Sequence, residues 1–203
     1  FEFHLPMGSL CRLFRTKLSD FSKTTSKYLK ADISKVSALK EELDIKKKKV
    51  IGISWKSFQA TNQIKKNIAL IDFGKIFLGL DVVLVNLQYG NVDKEIESFT
   101  KETGIEVLQN SSVDNKQNLD GLAALIEACD LVISTSNVTI HLAGALGKQT
   151  WVLLPYVAHF WHLTDRSDSL WYPSLKLFRQ KKRGDWLSLV KEVGENLKSY
   201  YSL

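Results

Sequence analysis

Asp130–Pro155 reads DLVISTSNVTIHLAGALGKQTWVLLP: an apolar run, a polar turn, a small-residue segment and a second apolar run. Leu131 to Ser134 and Trp151 to Leu154 are short apolar runs, which predicts two strands of a parallel sheet covered on both faces. The segment between them is then a crossover helix. Ser136, Asn137 and Thr139 carry side-chain oxygens of the kind that cap a helix start, and Gly147 falls where a left-handed C-terminal cap belongs. Ala143, Gly144 and Ala145 lower helix propensity but let the backbone approach the sheet or a ligand closely. Amides, a positive dipole end and hydroxyls at the carboxyl edge of a parallel sheet make an anion site, with phosphate the natural guest. The same unit also serves packing alone in many α/β domains.

Outward from this unit the pattern stays regular. Strands are predicted at Val50 to Trp55, Asp81 to Leu87, Ile105 to Leu108 and Lys176 to Arg179. Helices are predicted at Ile68 to Phe77, Asp93 to Glu102 and Leu119 to Ala128. A long amphipathic helix follows at Asp185 to Tyr200, with Trp186, Leu189, Val193 and Leu197 on one side. Strands alternating with such helices predict an α/β fold, a Rossmann-like doubly wound parallel sheet, over residues 50–203. Residues 1–49 are polar and lysine-rich with a helical stretch around Ser34 to Leu43. They read as a partly helical N-terminal extension, the remnant of an N-terminal domain and a linker.

The chain of 203 residues, 44% hydrophobic, can bury one good core. No apolar run approaches the roughly 20 residues of a spanning helix and no secretion signal opens the chain, so a cytoplasmic protein without a membrane span is expected. The start at Phe1, with the only methionine at Met7, suggests a piece of something longer. Cys11 and Cys129 lie far apart, the second in an apolar helical run, which fits a reducing compartment and inert core sulfur. His4, His141, His159 and His162 show no cysteine or carboxylate pattern of a metal site, and no metal is expected. The net charge of +6 points to acidic partners. Its clusters are local: Lys46 to Lys49, Lys65 with Lys66, and Arg179 to Arg183. No interleaved aromatics accompany them, and nucleic acid is not an expected partner.

In doubly wound sheets ligands meet the carboxyl ends of strands. The first strand ends in Ser54, Trp55, Lys56 and Ser57, and a polar loop leads on to Lys65, Lys66 and Asn67. No glycine-rich fingerprint is present, which disfavours a dinucleotide site and a Walker-type loop. Lysines in that place suggest phosphates held by charge as well as by amides. The second strand ends in Asn86, Leu87, Gln88, Tyr89 and Gly90. Asp120 reads as a helix cap, and His141 lies in the first turn of the small-residue helix, beside any bound anion.

These residues resemble the carboxyl-terminal, nucleotide-sugar-binding half of GT-B glycosyltransferases, and in particular heptosyltransferase-like proteins of glycosyltransferase family 9, including versions fused behind tetratricopeptide repeats. The matching pieces are IGISWKS (Ile51 to Ser57), NLQYG (Asn86 to Gly90), LDGLAALIEACDLVIS (Leu119 to Ser134), HLAGALG (His141 to Gly147), TWVLLP (Thr150 to Pro155) and WYPSLKLFRQ (Trp171 to Gln180). The first twenty residues look like the end of the family's amino-terminal half. The resemblance implies a donor diphosphate over Asn137, Thr139, Ile140 and His141, neutralised by Lys56, Ser57 and Lys66. Gln88, Tyr89 and Ser136 are candidate sugar or nucleotide contacts. It implies no cofactor beyond the nucleotide-sugar donor, and a general base in the amino-terminal half, outside this chain. Two departures stand out. Relatives carry an acidic residue and a threonine where this chain has Ser136 and Asn137, and an arginine between aromatics where it has Trp161 and His162.

Three functions fit these features: a metal-independent sugar transferase's donor-binding domain, an interaction scaffold that kept the fold and lost the chemistry, and a nucleotide-sugar epimerase of the same architecture.

Overall fold

The computed structural model describes residues 4–43, 48–57, 66–158 and 160–201. Four short helical pieces and one full helix precede the sheet or cross it early: α1 (Cys11–Phe14), with tight turns on either side at Met7–Leu10 and Leu18–Phe21, then α2 (Ile33–Glu42) and α3 (Leu70–Phe73). The remaining helices are α4 (Asp93–Thr103), α5 (Leu119–Ala128), α6 (Val138–Ala145) and α7 (Trp186–Tyr201). The strands are β1 (Lys49–Ser54), β2 (Val82–Asn86), β3 (Val107–Leu108), β4 (Leu131–Thr135), β5 (Thr150–Leu154) and β6 (Leu175–Arg179). Among the described residues these six form one sheet in the order β3-β2-β1-β4-β5-β6, with every neighbouring pair parallel. The doubly wound Rossmann-like sheet expected from the alternating pattern is therefore the one found.

Strand geometry sends successive side chains to opposite faces, and both faces are covered. Ile51, Ile53, Leu84, Leu131, Ile133 and Leu153 join Phe73, Phe99, Leu189 and Val193 in the core under α3, α4 and α7. Val50, Val85 and Val132 face the other way, against Leu122, Leu125 and Ala143 of α5 and α6. Leu39 of α2 is buried in that second core, and the Tyr28 and Leu29 amides both donate to the Ala145 carbonyl, at 3.0 and 2.9 Å. Tyr28, Leu29 and Leu39 thus fasten part of the polar segment to α5 and α6.

Three elements differ from the sequence expectation. The helix predicted from Ile68 begins only at Leu70 and tightens into a 3-10 turn at Gly74–Phe77. The Ile68 amide is held by the Trp55 carbonyl at 3.2 Å, and Gly74 lies under Phe99, where an added Cβ would come within 2.2 Å of the ring. The strand predicted from Ile105 shortens to two residues at the sheet edge, where a strand has one ladder partner only. The cap of α5 is Asn118, whose side chain accepts from the Gly121 amide at 2.8 Å. Asp120, expected to cap, is the second residue of the helix, an exposed first-turn carboxylate.

The turn after α6 needs glycine twice over. Gly147 has φ +71°, and an added Cβ would stand 2.7 Å from the Ser26 carbonyl oxygen. Lys148 then donates to the carbonyls of Glu127 and Cys129, at 3.1 and 2.8 Å, closing the end of α5. Among the described residues no helix is long and apolar enough to cross a membrane.

Gly52 lies mid-strand in β1, where a Cβ would meet Leu87 Cδ1 at 2.4 Å and Cys129 Sγ at 3.0 Å. Overpacking of this kind costs about 1–3 kcal/mol, so Gly52→Ala is expected to lower stability by about that amount in chemical denaturation. Burial pushes the Cys129 thiol up to about 12, whereas Cys11 is exposed. Alkylation of the native protein near neutral pH, read by mass spectrometry, is expected to modify Cys11 alone, with Cys129 reacting only after unfolding.

Candidate functional site

The order of the sheet reverses between β1 and β4, the place where doubly wound folds bind ligands. The two strands run side by side, with Ser54 opposite Ser134 at their carboxyl ends. α6 starts three residues after β4, so its positive dipole end lies on this rim.

A buried polar network joins the strand ends. Gln88 Oε1 accepts three hydrogen bonds, from Ser54 Oγ, the Trp55 amide and the Lys56 amide, each at 3.0 Å. Asn137 Nδ2 donates to Ser54 Oγ at 2.7 Å and to the Lys56 carbonyl at 3.2 Å. Asn137 Oδ1 in turn accepts from the Thr139 amide at 2.9 Å, capping α6. One chain of bonds therefore runs from β2 through β1 to the first turn of α6.

This network reassigns several expected ligand contacts. Gln88 is 1% exposed, and its Nε2 donates to the Tyr89 carbonyl at 3.1 Å. It supports the rim from inside and also borders the cleft at the ends of β2 and β3. Asn137 serves as the cap and the tie to β1. Thr139 is wholly buried, and its amide donates to Asn137 Oδ1. The Ile140 side chain belongs to the core with Val152, Leu154, Leu175 and Leu177, so only its backbone lies at the helix start. The small residues of α6 make room for a side chain: a Cβ on Gly144 would lie 2.4 Å from Tyr172 Cγ.

The other expected residues line the rim. The Ser57 amide donates to Asn67 Oδ1 at 2.9 Å, and Asn67 Nδ2 returns a bond to the Ser57 carbonyl at 3.1 Å. Tyr89 reaches across from β2 to Ser57, its hydroxyl 3.3 Å from Ser57 Oγ. Burial lowers the Lys66 ammonium below its ordinary value. The Lys56 ammonium pairs with Glu95, a residue that sequence reasoning missed. Glu95 Oε1 also accepts from Trp55 Nε1 at 2.9 Å and the Leu70 amide at 3.2 Å, and no local pattern in α4 announces that role. Ser136 is buried, its Oγ 3.1 Å from His162 Nε2. His141 is partly exposed, with Nδ1 3.3 Å from the Tyr172 hydroxyl. Lys65 and the rest of residues 58–65, with His159, lie outside the described residues.

Two clefts flank the rim. One, of 750 Å³ at the ends of β2 and β3, is lined by polar side chains including Asn86, Gln109, Asn110, Asn115 and Gln117. The other, of 740 Å³ beyond β5 and β6, is more apolar and includes Leu18, Tyr156, Leu163 and Arg179. Among the described residues no group of three or more histidine, cysteine, aspartate or glutamate side chains is placed to hold a metal ion.

Removing the Gln88 acceptor strands two buried amides and a hydroxyl, at roughly 1–3 kcal/mol for a buried group left unsatisfied. Gln88→Ala is therefore expected to destabilise the protein by about 3 kcal/mol in denaturant titration, far more than Tyr89→Phe, which loses one rim bond.

No family model matches the chain. Protein FlbA of Caulobacter vibrioides is 31% identical over 202 residues, which is 98% of this chain and 33% of that protein. The chain thus spans about a third of the length of the curated relative it matches. Among solved structures, a family 9 glycosyltransferase from Veillonella parvula superposes with a TM-score of 0.57 at 14% identity, over 88% of this chain and 54% of that one. ADP-heptose lipopolysaccharide heptosyltransferase II of Escherichia coli gives a TM-score of 0.56 at 11% identity, over 84% and 54% of the two chains. Likeness at these identities is likeness of backbone, and it agrees with the resemblance carried by the sequence motifs: the fold of this chain is similar to that of these two transferases.

Proposed function

We propose that this chain is the donor-binding domain of a metal-independent glycosyltransferase, with the diphosphate of a nucleotide sugar lying over the start of α6. The observation that carries the reading is the rim at the β1–β4 switch point. There the dipole end of α6 opens on a support pinned by Gln88 and Asn137, and Lys66 with the partly exposed His141 would supply its positive charge. A preorganised positive rim favours an anion without reorganisation when charge develops. The polar cleft beside it, rich in donors and acceptors, suits the uncharged remainder of such a donor.

In the transfer, the acceptor oxygen bonds to the anomeric carbon as the bond from that carbon to the diphosphate oxygen breaks. The electron pair leaves with the diphosphate, and the acceptor's proton passes to a base. This chain's part is to bind and stabilise the leaving diphosphate through Lys66, His141, Ser57 and the α6 dipole. Lys56 contributes less charge than expected, because Glu95 balances it. The fold shared with family 9 glycosyltransferases supports sugar transfer as the class of reaction.

Isothermal titration of the purified protein with ADP, UDP, GDP and their sugar conjugates tests the reading. Saturable binding of at least one is expected, weakened about tenfold by Lys66→Ala, the loss typical of one charge-assisted phosphate contact. Absence of saturable binding by every ligand overturns it.

A further inference from the structure

His141 is held from two sides. Its Nδ1 lies 3.3 Å from the Tyr172 hydroxyl, and the rings of Tyr172 and Trp161 each meet the imidazole edge-on at a centroid distance of 5.7 Å. Tyr172 is itself fixed. Its ring rests on Gly144, where a Cβ would come within 2.4 Å, and it stacks on Tyr28 at 6.3 Å. Its amide donates to Ser169 Oγ at 3.3 Å, and its carbonyl accepts from Leu175 at 3.0 Å. Burial, with a hydrogen bond to Tyr28, raises the phenol above its ordinary value, so the hydroxyl keeps its proton.

We propose that Tyr172 is a positioning residue for the phosphate site, acting through His141: its hydroxyl and ring set the rotamer of the imidazole and the nitrogen that carries its proton. The hydrogen bond at one ring nitrogen governs the protonation of the other. A side chain ordered before binding loses less entropy when a ligand arrives. The small-residue stripe of α6 acquires a purpose on this account, since Gly144 is what lets the tyrosine ring lie close enough for its hydroxyl to reach one turn back along the helix. The inference rests on the phosphate reading of the same rim and adds a residue to it.

The test combines a double-mutant cycle with imidazole nitrogen NMR on the full chain. ADP, UDP and GDP are titrated into the wild type, Tyr172→Phe, His141→Ala and the double variant. The His141 resonances are assigned by their loss in His141→Ala. Tyr172→Phe keeps the ring on Gly144 and removes only the hydroxyl. It is expected to weaken nucleoside diphosphate binding about fivefold when His141 is present, to add no further loss when His141 is absent, and to shift the His141 Nδ1 resonance. Equal weakening in both backgrounds, or an unmoved His141 resonance, overturns the proposal. Should the wild type bind none of the three nucleotides, the phosphate reading fails by itself, and the resonance shift alone still decides whether Tyr172 positions His141.

Discussion

A single carboxamide oxygen organises the functional edge of this protein. Gln88 Oε1 accepts from Ser54, Trp55 and Lys56 at the point where the β1 backbone leaves the sheet. Without that acceptor, the Trp55 and Lys56 amides and the Ser54 O–H would lose the oxygen they donate to. With it, the chain turns outward at Trp55, whose fully buried indole drops into the core and donates to Glu95. The next residues, Lys56 and Ser57, are delivered to the rim. The Ser54 hydroxyl passes the constraint on, donating to Gln88 and accepting from Asn137, so the first turn of α6 is located relative to β1 and β2 by side chains and not by the sheet ladder alone.

Charged groups around this support are held by neighbours in the fold. Glu95 draws the Lys56 ammonium inward and ties α4 to the start of α3. Lys66 is partly desolvated, which lowers its ammonium below the ordinary value. His141 lies in the first turn of α6, its Nδ1 3.3 Å from the Tyr172 hydroxyl. Tyr172 and Trp161 meet the His141 ring edge-on, and Tyr28 stacks on Tyr172.

Much of this was legible in the order of residues. Leu119–Ala128 is both the predicted and the observed extent of α5, because its apolar spacing and flanking turns leave little choice. The capping role of Asn137 and the left-handed turn at Gly147 were likewise readable, since each depends on neighbours a few positions away. The direction in which Gln88 points was not readable: an amide at the end of a strand reads as a ligand contact until the backbone it supports is known. The segment before residue 49 looked like a linker by composition, yet a few apolar side chains such as Leu39 and two amides at Tyr28 and Leu29 suffice to fasten part of it to α5 and α6.

The sequence by itself determined the layers, the parallel sheet and the helix that opens at its carboxyl edge, because hydrophobic period and capping chemistry act over a few residues. Only the tertiary structure decided which polar groups turn inward. Ser54 finds Gln88 and Asn137 across 34 and 83 residues of chain, and Tyr172 finds His141 across 31. A hydrogen bond is made or lost over tenths of an ångström, and separations on that scale exist only once the strands have taken their order and the helices have packed.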